Sequence, residues 1–438
     1  MKPQTIVFLM AVLAAAIVCP IADALAQDSE TAGSEQERRQ LLGDWGGARS
    51  TLADHGIIVD VQATQFYQGV TDGASDDNWK YGLKGDYFVT LIGEKLGLWK
   101  GLSATIHAET RAGDDVSALT GISPANSAMT YPVAGEDLTA ITQLLVNQQL
   151  GNELMLSAGK FNAFDLFDLA FHSGRGIDKF MNTSLVIPLS LARTIPAAFM
   201  GAALLKLKGQ EVQGAVAVYD PNNSATTSGF DPLFGDTGLV GVWKFFHESG
   251  NGGRPGYVSV GANWSGKEYA LVEPSSLAFN PGEGLTLTNT DTSWSIFSIV
   301  DHQLWGDHSD PTRDLRFIGQ FVLADGGANF MEWTVSGALE MNGPLPRRDK
   351  DTLGVGVFYV GLSDDFKNTA GPLLSLAATA RNQAPTMISL QETRGLEVYY
   401  KAQITPWFAL TGDVQVIEPS ISVEDTKLVV GLRGKTTF

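Results

Sequence analysis

The sequence predicts an all-β fold: a transmembrane antiparallel β-barrel of about sixteen strands, with short periplasmic turns and long extracellular loops. Three observations carry this expectation. Segment after segment alternates apolar and polar residues with period two, over about 9–12 residues, near the length a tilted membrane strand needs. Aromatic residues recur near segment ends, at Tyr87, Trp99, Trp243, Tyr257, Trp264, Trp294, Trp305, Trp333, Trp407 and Phe438, as interfacial girdles do. The gaps between segments alternate short and long, as expected when tight turns line one rim and longer loops the other.

The chain opens with features of an export leader. Lys2 supplies a positive start, Ile6 to Val18 is a short apolar core, and Ala24-Leu25-Ala26 is a small-residue cleavage site. Residues 1–26 therefore read as a signal peptide. A lipoprotein leader is the rival because of Cys19, but Val18 before it and Pro20 after it fit poorly. Cys19 is the only cysteine, so the exported chain holds no disulfide; a small secreted domain usually needs one, a large closed sheet does not. No later stretch approaches the roughly 20 apolar residues of a membrane helix. An export leader without such a helix leaves a secreted soluble protein or an outer-membrane barrel. Residues 27–56 comprise the polar stretch Gln27 to Arg39 and a short helical region around GDWGG; residues 57–438 read as the barrel.

Strands are expected to begin near Ile57, Leu83, Gly101, Ile141, Glu153, Ala198, Glu211, Gly238, Gly256, Trp294, Asp314, Met331, Leu353, Arg394, Trp407 and Lys427. In the third, Leu102, Ala104, Ile106 and Ala108 oppose Ser103, Thr105, His107, Glu109 and Arg111. In the eleventh, Leu315, Phe317, Gly319, Phe321 and Leu323 share a face. The twelfth sets Trp333, Val335, Leu339 and Met341 against Thr334, Ser336, Glu340 and Asn342. In the fourteenth, Leu396, Val398, Tyr400 and Ala402 oppose Glu397, Tyr399, Lys401 and Gln403. The fifteenth sets Phe408, Leu410, Val414 and Val416 against Thr411, Asp413 and Gln415. In the last, KLVVGLRGKTTF, Leu428, Val430 and Leu432 oppose Lys427, Arg433 and Lys435. That strand must pair with the first to leave no open edge. Among the gaps, GEKLGLWK, Gly151-Asn152, Gly209-Gln210 and Thr405-Pro406 are short, and the third, fifth, ninth and thirteenth are long.

GDWGGARSTLADHGI, GKFNAFDLF, SGRGIDKFMN, AVAVYDPN, GGRPGY and GLEVYYKAQITPWFALTGDVQVI resemble, in order, sequence blocks of the OprB-type carbohydrate-selective porins. The resemblance runs from Leu41 to Phe438. It implies a sixteen-stranded outer-membrane barrel of a Gram-negative bacterium that passes mono- and oligosaccharides, and it leans towards a monomer. The terminal Phe438 resembles the C-terminal aromatic that such barrels present to the outer-membrane assembly machinery.

In a sugar channel, polar side chains must replace hydration at a narrow eyelet without holding the solute too tightly. Carboxylates accept from sugar hydroxyls and guanidinium groups donate to them. On this logic His107, Glu109 and Arg111 on the third strand are eyelet candidates. The long fifth gap carries Asp165, Asp168, Arg175 and Asp178 as sugar-path candidates. It also holds Phe161, Phe164, Phe167 and Phe171, too apolar for a freely waving loop, so it is expected to pack inside and constrict the barrel. Lys84, Asp86, Glu397 and Lys401 are weaker lumen candidates. The GDWGG block either plugs the periplasmic mouth or, the blander reading, seals the lower end of the barrel through Trp45 and Leu52. GGRPGY reads as a turn.

No HExxH pair, GxSxG elbow or Walker loop occurs, so the expectation is no enzyme, no cofactor, no metal and no nucleic-acid partner. His302, His308 and Asp310 could meet a metal only within a short turn. Outer-loop acids, Asp72/Asp76/Asp77, Asp114/Asp115 and Asp364/Asp365, read as solvated rather than as cation bridges to lipopolysaccharide or other outer-membrane lipid. The formal charge of −18 argues mildly against an anion channel, although only lumen charge counts. Two alternatives stay open: the same barrel serving polyols or organic acids, and an exported all-β enzyme or sugar-binding protein. The second would need a layer to cover the apolar face of every strand.

Overall fold

The computed structural model describes residues 40–73, 78–230, 233, 235–250, 253–280, 284–382 and 387–438. The expected leader, the polar stretch Gln27 to Arg39, and Asp76 and Asp77 lie outside the described residues. Sixteen strands form one closed antiparallel barrel, each paired with its neighbours in sequence. They are β1 (Ile57–Asp72), β2 (Asn78–Ile92), β3 (Leu102–Gly113), β4 (Leu138–Leu150), β5 (Leu154–Asn162), β6 (Ala198–Lys208), β7 (Glu211–Tyr219), β8 (Gly238–Ser249), β9 (Arg254–Ser265), β10 (Ser293–Gly306), β11 (Asp314–Ala324), β12 (Met331–Asn342), β13 (Thr352–Leu362), β14 (Thr393–Thr405), β15 (Phe408–Glu418) and β16 (Lys427–Thr437). None of the described helices is long and apolar enough to cross a membrane; the strands do the crossing.

Alternation decides which residue faces which solvent. Leu432 stands 52% exposed on the outer wall, whereas its neighbour Arg433 is 1% exposed inside. Val216, Val260, Ile296 and Val357 likewise stand exposed on an outward apolar band, which a water-soluble fold would have covered. The strand starts expected from sequence fall close to those observed. The largest offset is at β2, which begins at Asn78 because Trp79 and Tyr81 prolong the pairing with Gly69 and Tyr67. GGRPGY divides: Gly253 takes the left-handed turn conformation at φ 61°, but Arg254 already opens β9.

β1 closes on β16 from Gln62 opposite Thr437 to Asp72 opposite Leu428, with a register slip between Val70 and Asp72. No strand of the barrel is left with a free edge. Before β1, a short 3-10 turn (Trp45–Gly47) leads into α1 (Ala48–Asp54). This block contacts strand ends rather than the middle of the lumen. Leu41 N donates to Thr437 O at 2.8 Å, Arg49 Nη2 donates to Phe438 O at 2.8 Å, and Lys95 Nζ donates to Ala53 O at 2.7 Å.

The turns at one rim are short; residues 114–137, 163–197, 266–292 and 363–392 form the long connections at the other. They are not bare loops. Residues 163–197 carry α2 (Ala163–Phe171) and α3 (Thr183–Val186), and the β13–β14 connection carries α4 (Asp364–Asn382). The largest apolar core lies inside the barrel, where Phe180, Leu185 and Leu189 of the segment 163–197 pack on Phe358, Val360 and Tyr399 of the wall. Gly356 permits this close approach: a Cβ there would lie 2.8 Å from Leu185 and 3.0 Å from Phe180.

Candidate pore constriction

Segment 163–197 leaves β5 as a capped helix. Asn162 Oδ1 accepts from Phe164 N at 2.9 Å and from Asp165 N at 3.4 Å, which starts α2 and points Asp165 into the lumen. The helix ends at His172 in the left-handed conformation, φ 53°. Asp168 then caps the turn, its Oδ1 accepting from Gly174 N at 2.7 Å. Asp168 therefore holds local backbone.

Arg175 follows, also at φ 52°, a conformation that disfavours a residue with a side chain. Its guanidinium meets three carboxylates: Asp86 at 2.6 Å, Asp165 at 2.9 Å and Glu109 at 3.2 Å. Lys84 pairs with Glu109 at 2.9 Å. His107 bridges Asp165 at 2.7 Å and Asp86 at 3.1 Å, with its ring stacked on Phe88. Burial works against the Arg175 charge, but Asp86, Asp165 and Glu109 more than offset it and hold the group more strongly protonated than a free guanidinium. Ligand atoms of Asp86, His107 and Glu109 lie within 4.8 Å of one another. Arg175 and Lys84 already face these oxygens, so charge balance there does not call for a dication.

A second anchor lies on the opposing strands. Glu397 accepts from Met181 N at 2.6 Å and Asn182 N at 2.8 Å. Arg433 donates to Gly176 O at 3.0 Å and Lys179 O at 2.8 Å. Lys179 pairs with Glu340 at 2.8 Å and Asp178 with Lys435 at 2.6 Å. Crowding inside the barrel pushes the Asp178 carboxyl up, but Lys435 and Lys401 pull it further down, leaving it below the usual carboxylate range. A third set of contacts reaches β11 and the turn after it: Gln320 donates to Leu185 O at 3.1 Å and Asn329 to Ser190 O at 2.9 Å. The segment is thus strapped across the lumen.

Residues 114–137 pack on this strap. Arg111 organises them, donating to Met129 O at 2.7 Å and Gly113 O at 2.9 Å and pairing with Asp115 at 2.8 Å. Lys84 donates to Tyr131 O at 2.6 Å. Ser127 N donates to Met181 O at 2.7 Å, joining the two segments.

The eyelet candidates His107, Glu109 and Arg111 do not line open water here. They are 0–1% exposed. Lys84, Asp86 and Glu397 are equally enclosed. All six hold inserted segments to the wall. The strap and residues 114–137 cover these side chains and satisfy them: Arg175 meets Asp86 and Glu109, strap amides meet Glu397, and Met129 O and Tyr131 O accept from Arg111 and Lys84. Partial exposure remains at Asp165, Asp178, Lys179, Lys401 and Lys435. The Asp178 side chain is 42% exposed. Sequence reasoning put neither Lys435, Arg433 nor Glu340 among the candidates, although all three stood on polar strand faces. Their partners lie far away in sequence, so alternation gave no sign of them.

Residues 93–438 match the profile described as carbohydrate-selective porin, OprB family. The chain belongs to this family. Porin B of Pseudomonas aeruginosa is 22% identical over 437 residues, covering 91% of each chain. The high-pH structure of Pseudomonas putida OprB superposes with a TM-score of 0.77 at 19% identity, covering 93% of this chain and 100% of that one. The low-pH structure of the same protein gives a TM-score of 0.56 at 16% identity, covering 92% and 100%. These structures share the fold. The relatives are porins, transport channels rather than enzymes, and family and barrel together place this porin in the outer membrane.

Proposed function

We propose that this porin lets small sugars, mono- and oligosaccharides, diffuse passively across the outer membrane of a Gram-negative bacterium, with the strap 163–197 forming its selective eyelet. One observation carries the reading. The strap crosses the lumen and buries its anchors, yet leaves acceptor and donor groups, Asp165 and Asp178 beside Lys179, Lys401 and Lys435, partly exposed. Such a mixed edge can exchange hydrogen bonds with hydroxyls at every step without one dominant charge to trap the solute. The working unit is taken as a monomer, as the family resemblance implies. Export through cleavage after Ala26 fits the leader, and a mature N-terminus at Gln27 in the purified protein would bear it out.

The lysines facing Asp178 favour a second reading, in which organic acids pass by the same route. Liposome swelling separates the two. Vesicles containing the porin should swell faster in glucose than in an amino acid or a disaccharide of matched charge. Equal rates exclude selectivity, no swelling excludes a pore, and faster swelling in small organic anions favours the second reading.

A further inference from the structure

Two histidines meet on the outer face of the barrel near the short-turn rim. His247 on β8 and His302 on β10 each stand opposite Gly256 on the intervening β9, so the three share one row across the sheet. Both imidazoles reach over the glycine. Nε2 of His247 lies 3.2 Å from Nδ1 of His302, with ring centroids 5.0 Å apart and planes inclined by 20°. A Cβ at position 256 would lie 3.0 Å from His247 Nε2 and closer still to His302 Nδ1, so only glycine lets the two nitrogens meet. The other ring nitrogen of His302, Nε2, lies 2.7 Å from Ser249 Oγ.

We propose that His247 and His302 form a two-imidazole chelate for a divalent transition metal of the Zn2+ or Cu2+ class, with Ser249 as the positioning residue of His302. Proton placement supplies the reason. When His302 donates its Nε2–H to Ser249 Oγ, Nδ1 is left bare. His247 with its proton on Nδ1 likewise presents a bare Nε2. With its proton on Nε2 instead, a neutral His247 donates to Nδ1 of His302; with both nitrogens bare, the pair can hold a cation between them. Zn–N bonds of about 2.0–2.1 Å at a tetrahedral angle separate two ligand nitrogens by about 3.4 Å. The rings therefore need only a small turn to bind. Water or a lipid phosphate at the rim fills the remaining positions. A hydrogen-bonded partner on the non-ligating nitrogen is the usual companion of a metal-bound histidine. Paired imidazoles select Zn2+, Cu2+ and Ni2+ over the harder Mg2+ and Ca2+.

Asp310, weighed from the sequence beside His302 and His308, takes no part in this pair. Asp310 Oδ1 accepts from Thr312 N at 3.0 Å, while His302 turns to His247. The pair also stands apart from the sugar path, because alternate residues of the same strands, Lys244 and Asp301, face inward. Metal binding and sugar flux are therefore separable.

The full chain, purified in detergent and stripped with a chelator, is titrated with Zn2+ by calorimetry and with Cu2+ by electron paramagnetic resonance. The expected result is one strong equivalent, unaffected by excess Mg2+, with nitrogen hyperfine structure from two imidazoles. His247→Gln and His302→Gln should each weaken it at least tenfold, and Ser249→Ala by about 10–100-fold. Heat-modifiable migration of each variant reports folding separately, and sugar-driven swelling should match the parent protein. An isotherm shared by the parent and the H247Q/H302Q double variant, or an equal loss in His308→Gln, overturns the proposal.

Discussion

Arg175 Nη2 lies 2.6 Å from Asp86 Oδ1, joining the lumen strap to the second strand of the wall. The two residues are 89 positions apart in the chain. Their contact is the centre of one of the three sets of contacts that tie the strap to the wall.

Arg175→Ala should release the strap. It would leave Asp86 buried without its main counter-charge and Glu109 with Lys84 alone, a loss of about 3–5 kcal/mol for breaking a buried pair. Single-channel recordings in planar bilayers should show larger, noisier conductance and weaker discrimination between sugars. Arg175→Lys should restore only part of the behaviour, since an ammonium cannot reproduce the guanidinium fork that meets three carboxylates. Unchanged conductance in Arg175→Ala would remove the strap from the eyelet.

Glu397→Ala tests the second anchor. Two backbone amides, Met181 N and Asn182 N, would lose their carboxyl acceptor and stay buried without a partner, at about 1–3 kcal/mol for each. Limited proteolysis of intact vesicles should then cut within residues 163–197, where the parent chain resists. Resistance equal to the parent would show that the remaining contacts suffice.

Asp178 sets a pH dependence. Its folded-state pKa lies below the ordinary carboxylate value, so its tether to Lys435 contributes fully above that value and is lost only as pH falls through the depressed one. Channel noise from strap opening should therefore stay at its neutral level down to about pH 4 and rise below it. Asp178→Asn should show that noise at neutral pH. A rise centred near pH 6 in the parent protein would assign the transition to another group.

Arg49 and Phe438 form a latch at the barrel seam. Arg49 Nη2 donates to Phe438 O, and Phe438 N donates to Val61 O at 2.9 Å. Deleting Phe438 should lower the yield of heat-modifiable barrel in the outer membrane, by removing both a seam bond and the terminal aromatic. Arg49→Ala should lower it less, because Leu41 still bonds Thr437. Normal yield in both variants would separate the latch from assembly.

The sequence by itself determined the barrel. Period-two alternation is a local property: each strand's apolar face must meet lipid and its polar face the lumen, so strand number, strand faces and the β1–β16 closure could be read without any long-range contact. The alternation of short and long connections is written locally in the same way. The tertiary structure alone decided what the inward charges do. Glu109, Arg111 and Glu397 stand on polar faces and so read as water-lining, yet their partners come from inserted segments elsewhere in the chain. Glu397 meets Met181 across 216 residues and Lys435 meets Asp178 across 257. No local pattern encodes such pairings, because they exist only once the cylinder has closed and the strap has nowhere to go but across it.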